Sequence, residues 1–246
     1  MMSFLRVTEL NRQILFMSAC VAALVTLSPS HLEARGGLYL GFDLGGAKTN
    51  GALQIPVCSN TTLDYCIISP ASQVKTDFGS GFAFGFKFGY NIMGFGGLEA
   101  NINAHGSKKS AANSWEGLGH IALVARLFPV QFLTLAKNYK LRALHKRAWD
   151  PNIYFGYGFL DMGGYHVAAG EGRGWEGTHF QWGLGFDYKI ASTVSVGIDF
   201  KFIHPQLDVF LLDWDPRETV PLKKPEKPFI FAPMANITFH VWDPHK

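Results

Sequence analysis

The chain has 246 residues and a formal net charge of +3, with 48% hydrophobic residues, 27 glycines and 21 phenylalanines. That length accommodates one large β domain, and so small an excess of positive charge argues against nucleic acid as a partner.

The first element in chain order is an export signal. Arg6 and Arg12 precede the apolar run ILFMSACVAALVTL at 14–27, which is followed by the polar SPSHLEARGG. A transmembrane helix needs about 20 apolar residues, so the run has the length of a secretory h-region. Cleavage is expected between Ser28 and Ala34, which makes 1–34 a signal peptide and 35–246 the folded domain. Processing removes Cys20 and leaves Cys58 and Cys66. Two cysteines in an exported chain predict one disulfide. No later apolar run is long enough for a spanning helix, so a membrane form of this chain crosses as a barrel.

A period of two then marks about eight strands. The first, 35–48, sets Leu38, Leu40, Phe42 and Leu44 opposite Gly41, Asp43 and Gly45. The second contains GFAFGFKFGY at 81–90, with Phe82, Phe84, Phe86 and Phe88 on one face and Ala83, Gly85, Lys87 and Gly89 on the other. A helix would scatter those rings and be weakened by the glycines. The third, near 94–105, opposes Leu98, Ala100 and Ile102 to Glu99, Asn101 and Asn103, and the fourth, 115–128, opposes Ile121, Leu123, Ala125 and Leu127 to His120 and Arg126. In the fifth, 152–161, Ile153, Phe155, Tyr157 and Phe159 face away from Gly156 and Gly158. The sixth alternates Phe180, Trp182, Leu184, Phe186 and Tyr188 with Gln181, Gly183, Gly185, Asp187 and Lys189. The seventh alternates Val194 to Phe202 with Ser195, Gly197, Asp199 and Lys201, and the last, 229–242, alternates Ala235 to Val241 with Asn236, Thr238 and His240.

A soluble lipocalin-like barrel shows the same alternation with its faces exchanged. Glycine is dense on the less apolar face, which suits a crowded lumen better than a wet surface. Strand lengths match tilted membrane strands of roughly 9 to 11 residues. Aromatic residues sit at proposed strand ends (Tyr90, Trp115, Trp149, Tyr188, Trp242), where a bilayer interface would hold them. The phenylalanines are therefore expected to face lipid and the glycines the interior. Connections after odd strands are mostly long and two of the three after even strands tight, the asymmetry of outer loops and periplasmic turns.

On this pattern the mature chain resembles the small eight-stranded outer-membrane barrels of Gram-negative bacteria, the OmpA/OmpX type, with no peptidoglycan-binding domain after the last strand. The resemblance implies an all-β, eight-stranded antiparallel transmembrane β-barrel in the bacterial outer membrane, porin-like in fold. The chain ends WDPHK, where such barrels usually end on an aromatic residue. A second departure is VQFLTLAKNYKLRALHKRA at 130–148, in place of a tight turn. Its apolar residues and its bases Lys137, Lys140, Arg142, Lys146 and Arg147 predict a periplasmic amphipathic helix at the membrane surface or over the barrel mouth.

The expected lumen holds the acids Asp43, Glu99, Glu116, Asp187 and Asp199 and the bases Lys87, Arg126, Lys189 and Lys201, with His120 able to join them. An eight-stranded interior is only wide enough for side chains, so these charges are expected to pair into a plug. A narrow pore with exchanging pairs is the alternative. For catalysis, AHGSKK offers His105 and Ser107, with Glu116 or Glu171 as a third member. It lacks the asparagine of the H-x-S-N run in lipid A deacylases, and a serine nucleophile needs an orienting carboxylate that spacing does not supply. No catalytic residue is assigned, and the chain is not expected to be an enzyme. The acids Asp208, Asp213, Asp215 and Glu218 match no cation loop, so neither metal nor cofactor is expected.

With the lumen closed, function is expected in the outer loops. The first carries PVCSNTTLDYC, a small hairpin clamped by Cys58 and Cys66; the third, GGYHVAAGEGRGWEG, is expected to be mobile with Trp175 exposed; the fourth carries LDVFLLDW, whose apolar residues either prolong strand seven outward, the favoured reading, or form a binding patch. The expected partners are outer-membrane lipid, lipopolysaccharide and an unidentified surface ligand, with the barrel a monomer.

Overall fold

The structure, a computed structural model, describes residues 36–50, 53–54, 57–58, 66–67, 75–76, 79–92, 94–109, 114–135, 149–166, 171–191, 193–214 and 217–242; the signal segment 1–34 lies outside them. Eight strands make the body of the molecule: β1 (Gly37–Asn50), β2 (Ser80–Ile92), β3 (Gly96–Lys109), β4 (Ser114–Leu127), β5 (Trp149–His166), β6 (Glu171–Ala191), β7 (Val194–Trp214) and β8 (Phe229–Trp242). Each pairs antiparallel with the one before it. β8 also pairs with β1, Phe42 lying opposite Ile237, and this closes the sheet into a barrel with no free edge in the ring.

Alternation decides the faces as expected. Phe82 and Phe84 are 55% and 56% exposed on the outside of β2, while Ala83 between them and Lys87 farther along the strand are buried inside. Isoleucines and aromatic rings on β3 to β8 continue this apolar exterior, including Ile102, Ile121, Phe159, Phe186 and Phe239. Such a surface is what hydrocarbon solvates. Tyr188 is exposed near its strand end as expected, but Tyr90 is buried.

Glycine matters where the wall or a turn leaves no room. A Cβ at Gly85 would strike the Asn103 amide on the adjacent strand, so the inward glycines clear space for longer neighbours. At the β2–β3 turn Gly94 has φ 73°, a left-handed conformation that favours glycine, and Phe95 N donates to Ile92 O at 3.2 Å.

The helix expected over 130–148 is not supported. Pro129–Leu135 forms a 3₁₀ helix, none of the described residues is α-helical, and 136–148, with Lys137, Lys140, Arg142, Lys146 and Arg147, lies outside them. The reason lies in what the segment packs against. Phe128 N donates to Phe95 O at 2.8 Å, Gln131 N to Phe128 O at 3.0 Å, and the Phe132 ring lies 5.1 Å from that of Phe95. The chain is thus folded back onto the β2–β3 turn by i→i+3 bonding directly after Pro129.

The barrel is taller on one side. β6 and β7 have 21 residues each against 14 in β1. At roughly 3.3 Å per residue the surplus rises on the order of 20 Å above the shorter strands. LDVFLLDW does prolong strand seven, as expected. Trp175 is the opposite of what its glycine-rich surroundings suggest: it lies within β6, 2% exposed, with its ring 5.3 Å from that of Phe210 on β7. Beyond the barrel, the strand Arg217–Glu226 pairs with the top of β7, and Cys66–Ile67 joins it in parallel through Leu222.

Candidate functional site

The barrel interior brings six of the expected charges into one continuous ladder of alternating sign. Lys201 Nζ meets Asp43 Oδ2 at 2.6 Å, and Asp43 Oδ1 meets Lys87 Nζ at 3.2 Å. Lys87 meets Asp199 Oδ2 at 3.2 Å, Asp199 Oδ1 meets Arg126 Nη1 at 3.1 Å, and Arg126 Nη2 reaches Glu99 Oε1 at 3.3 Å. Three acids therefore alternate with three bases, all six side chains buried. The contributing strands are β1, β2, β3, β4 and β7, so the ladder crosses the lumen from wall to wall.

A polar frame fixes each end. Tyr39 donates its hydroxyl to Glu99 Oε2 at 2.8 Å, and the Asn101 amide donates to Glu99 Oε1. Lys201 also donates to Asn103 Oδ1 at 2.8 Å, and Arg126 Nη1 to Asn152 Oδ1 at 2.6 Å. The Arg126 guanidinium lies 4.6 Å from the centroid of the Tyr154 ring. Tyr39, Asn152 and Tyr154 are missed by a search for charges alone. The signal that finds them is parity, since Tyr39 shares a face with Asp43, and Tyr154 with Gly156.

Other expected members are placed differently. Asp187 joins at one remove, accepting from Asn152 Nδ2 at 2.9 Å. Lys189 is partly exposed near the β6–β7 turn. Glu116 shares its strand face with His120, its backbone opposite Ser107 and Gly164, and its side chain is outside the described residues. His120 does not join the acids. Its ring stacks edge-on between His105 at 5.4 Å and His179 at 4.8 Å, making a buried imidazole layer above the ladder. His105, the histidine of AHGSKK, thus turns inward against another imidazole. Among the described residues no three ligating side chains are spaced to hold a metal ion.

Above the histidines the lumen becomes apolar. Ala83, Leu118, Leu160, Met162, Ile203 and Ile230 pack in one buried cluster that continues through Leu207 and Phe210 to Leu53 and Leu222 of the outer segments. At the periplasmic mouth a cavity of about 30 Å³ remains, lined by Tyr39, Asn91, Asp150, Asp187, Ser195 and His240 among others. That is room for one or two water molecules. Its floor is braced by Gln131, which donates to Asp150 at 3.1 Å.

Residues 17–209, well over half of the chain, match the family model described as the outer membrane protein beta-barrel domain. The chain belongs to that family. This outer-membrane barrel is also similar to solved structures. One is Neisserial surface protein A, at 11% identity over 83% of this chain and 97% of that one, with a TM-score of 0.52. Others are OprG from Pseudomonas aeruginosa (12% identity, 85% and 98% covered, TM-score 0.45) and Ail, the attachment invasion locus protein of Yersinia pestis (9% identity, 82% and 98% covered, TM-score 0.42). At such identities what the barrel shares with the Neisserial protein is its fold. No match to the chain was found among curated proteins. Membership places the barrel in the bacterial outer membrane, and the rings of GFAFGFKFGY against its lipid.

Proposed function

We propose that this outer-membrane barrel is a closed membrane anchor that acts through its extracellular segments, in a structural or surface-interaction role. The observation that carries the reading is the double closure of the lumen. A pore for small solutes needs a continuous wet path, whereas here each ladder ion is held by another, three packed imidazoles lie above them, and the layer beyond is hydrocarbon. Breaking the ladder open would strand buried charges, and wetting the upper layer would expose Leu160, Met162 and Ile203. What rises outside supports the same reading: β6 and β7 prolong the wall, and the strand Arg217–Glu226 with Cys66–Ile67 extends the sheet beyond it.

The disulfide between Cys58 and Cys66 belongs to this proposal. In its support, the backbone register sets Cys58 directly opposite Cys66 in a short antiparallel ladder, as a cross-strand bridge requires. Alkylation of exported, unreduced protein is expected to label neither cysteine, and labelling of both would remove the clamp from the reading.

Planar-bilayer recording of the refolded barrel tests the whole. No unitary conductance is expected in molar potassium chloride. Reproducible single-channel steps that change with substitution of Asp199 would replace the anchor with the pore. A mass change in lipid A on expression would replace it with a lipid-modifying enzyme.

A further inference from the structure

One stretch of the lipid-facing wall carries a row of stacked rings. On β6, β7, β8 and β1, Trp182, Phe202, Phe231 and Lys48 follow one another as direct register partners across four neighbouring strands. Trp182 and Phe202 stack at 4.3 Å with planes 15° apart, and Phe231 lies 5.2 Å from Phe202. Trp182 Nε1 donates to His204 Nε2 at 3.2 Å. An indole N–H only donates, so this Nε2 accepts, and the neutral ring carries its proton on Nδ1 as a second donor. Among the described outward side chains, Gly106 on β3 and Gly117 and Gly119 on β4 offer no ring, and the outermost outward positions there, Lys108 and Trp115, face each other in register with side chains outside the described residues.

The depth of the row follows from its neighbours. Below it on β7 come Phe200 and Ile198, and above it Gln206 and Asp208, both exposed and polar. The row lies where the apolar band gives way to the outer interface, the depth that indole and imidazole rings prefer. Two lysines flank it. Lys48 stands beside Phe231, and Lys227 is two residues before Phe229 on the same outward side; both are exposed and neither forms an ion pair among the described residues. An ammonium on the lipid-facing wall is unfavourable in hydrocarbon, and near the interface it is favoured by an anionic headgroup.

We propose that this patch binds the phosphorylated glucosamine headgroup of an outer-leaflet glycolipid, the chemistry of lipid A. Lys48 and Lys227 bracket its phosphates and His204 donates to its oxygens. The apolar face of the sugar and the first acyl carbons lie over Trp182, Phe202 and Phe231. A free phosphate would make no use of the aromatic row, and a plain hydrocarbon chain none of the lysines. The site is on the outer wall and stands whether or not the lumen conducts.

The test uses the refolded full-length barrel in detergent, titrated with bisphosphorylated lipid A, with lipid A stripped of its phosphates, and with phosphatidylglycerol, retained lipid being counted by native mass spectrometry. The bisphosphorylated form is expected to bind best, and Lys48→Gln and Lys227→Gln each to weaken it about fivefold. Phe202→Leu is expected to weaken both lipid A forms. These variants sit on the exposed wall, and unchanged heat-shifted gel mobility checks that each still folds. Equal binding of the dephosphorylated lipid, equal binding of phosphatidylglycerol, or wild-type binding by the Lys48→Gln/Lys227→Gln double variant would each overturn the proposal.

Discussion

Below the histidine layer, the inward faces of β1, β2, β4 and β7 carry Asp43, Lys87, Arg126, Asp199 and Lys201; above it the same faces carry Ala47, Ala83, Leu118 and Ile203. One half of the lumen is held by charge and the other by hydrocarbon, on the same strands. The two halves close the barrel by different physics. In the ladder, desolvation and attraction nearly cancel, so its net stabilisation is small, but loss of one member leaves its partners charged in a dry interior. In the apolar half every buried methylene contributes, and a deletion costs what the resulting cavity costs. The lower half is sensitive to the loss of any one ion, and the upper half supplies burial.

The comparison can be broken most severely at Asp199, which accepts from both Lys87 and Arg126. Asp199→Ala is expected to destabilise the barrel by about 3–5 kcal/mol in urea unfolding from detergent micelles. A loss under about 1 kcal/mol would mean that water reaches those cations. On the other side, Leu160→Ala should cost about 3 kcal/mol as a cavity in the upper layer. If it were nearly silent, that layer would not be packed as a core. Gly85→Lys tests whether the face between the phenylalanines is interior, since its side chain must displace Asn103. An expected loss of about 1–3 kcal/mol reports overfilling, and a midpoint equal to wild type would put that face in solvent. The smallest effect sharpens the contrast with surface electrostatics. Raising sodium chloride from 0.1 to 1 M should move the unfolding free energy by less than about 0.5 kcal/mol, because buried pairs are poorly screened. A larger, ladder-dependent loss would show the ions to be exposed.

Much of this was legible before any folding. Strand eight is expected at 229–242 and found as Phe229–Trp242, and the Phe82–Phe88 face points outward as alternation requires. Six of the ten expected lumen residues form the ladder. The amphipathic pattern of 130–148 predicts an α-helix but takes no account of the β2–β3 turn, where Phe95 captures Phe128 and Phe132 and Pro129–Leu135 becomes 3₁₀; 136–148 lie outside the described residues. The glycines around Trp175 suggest a loop, whereas register with Met162 on β5 and Phe210 on β7 makes its segment a strand.

What the sequence by itself determined was the wall: period two with rings on one face dictates strands whose outer side is apolar, because side chains on a strand have no third direction. What only the tertiary structure decided was the filling. Lys201 finds Asp43 across 158 positions of chain, and Lys87 finds Asp199 across 112, through the closure of β8 onto β1 and the register of every strand between. The apolar upper layer was equally hidden. Near Phe159-Leu160 and Phe229-Ile230-Phe231 both faces are apolar, so alternation falls silent where one face meets lipid and the other a dry interior.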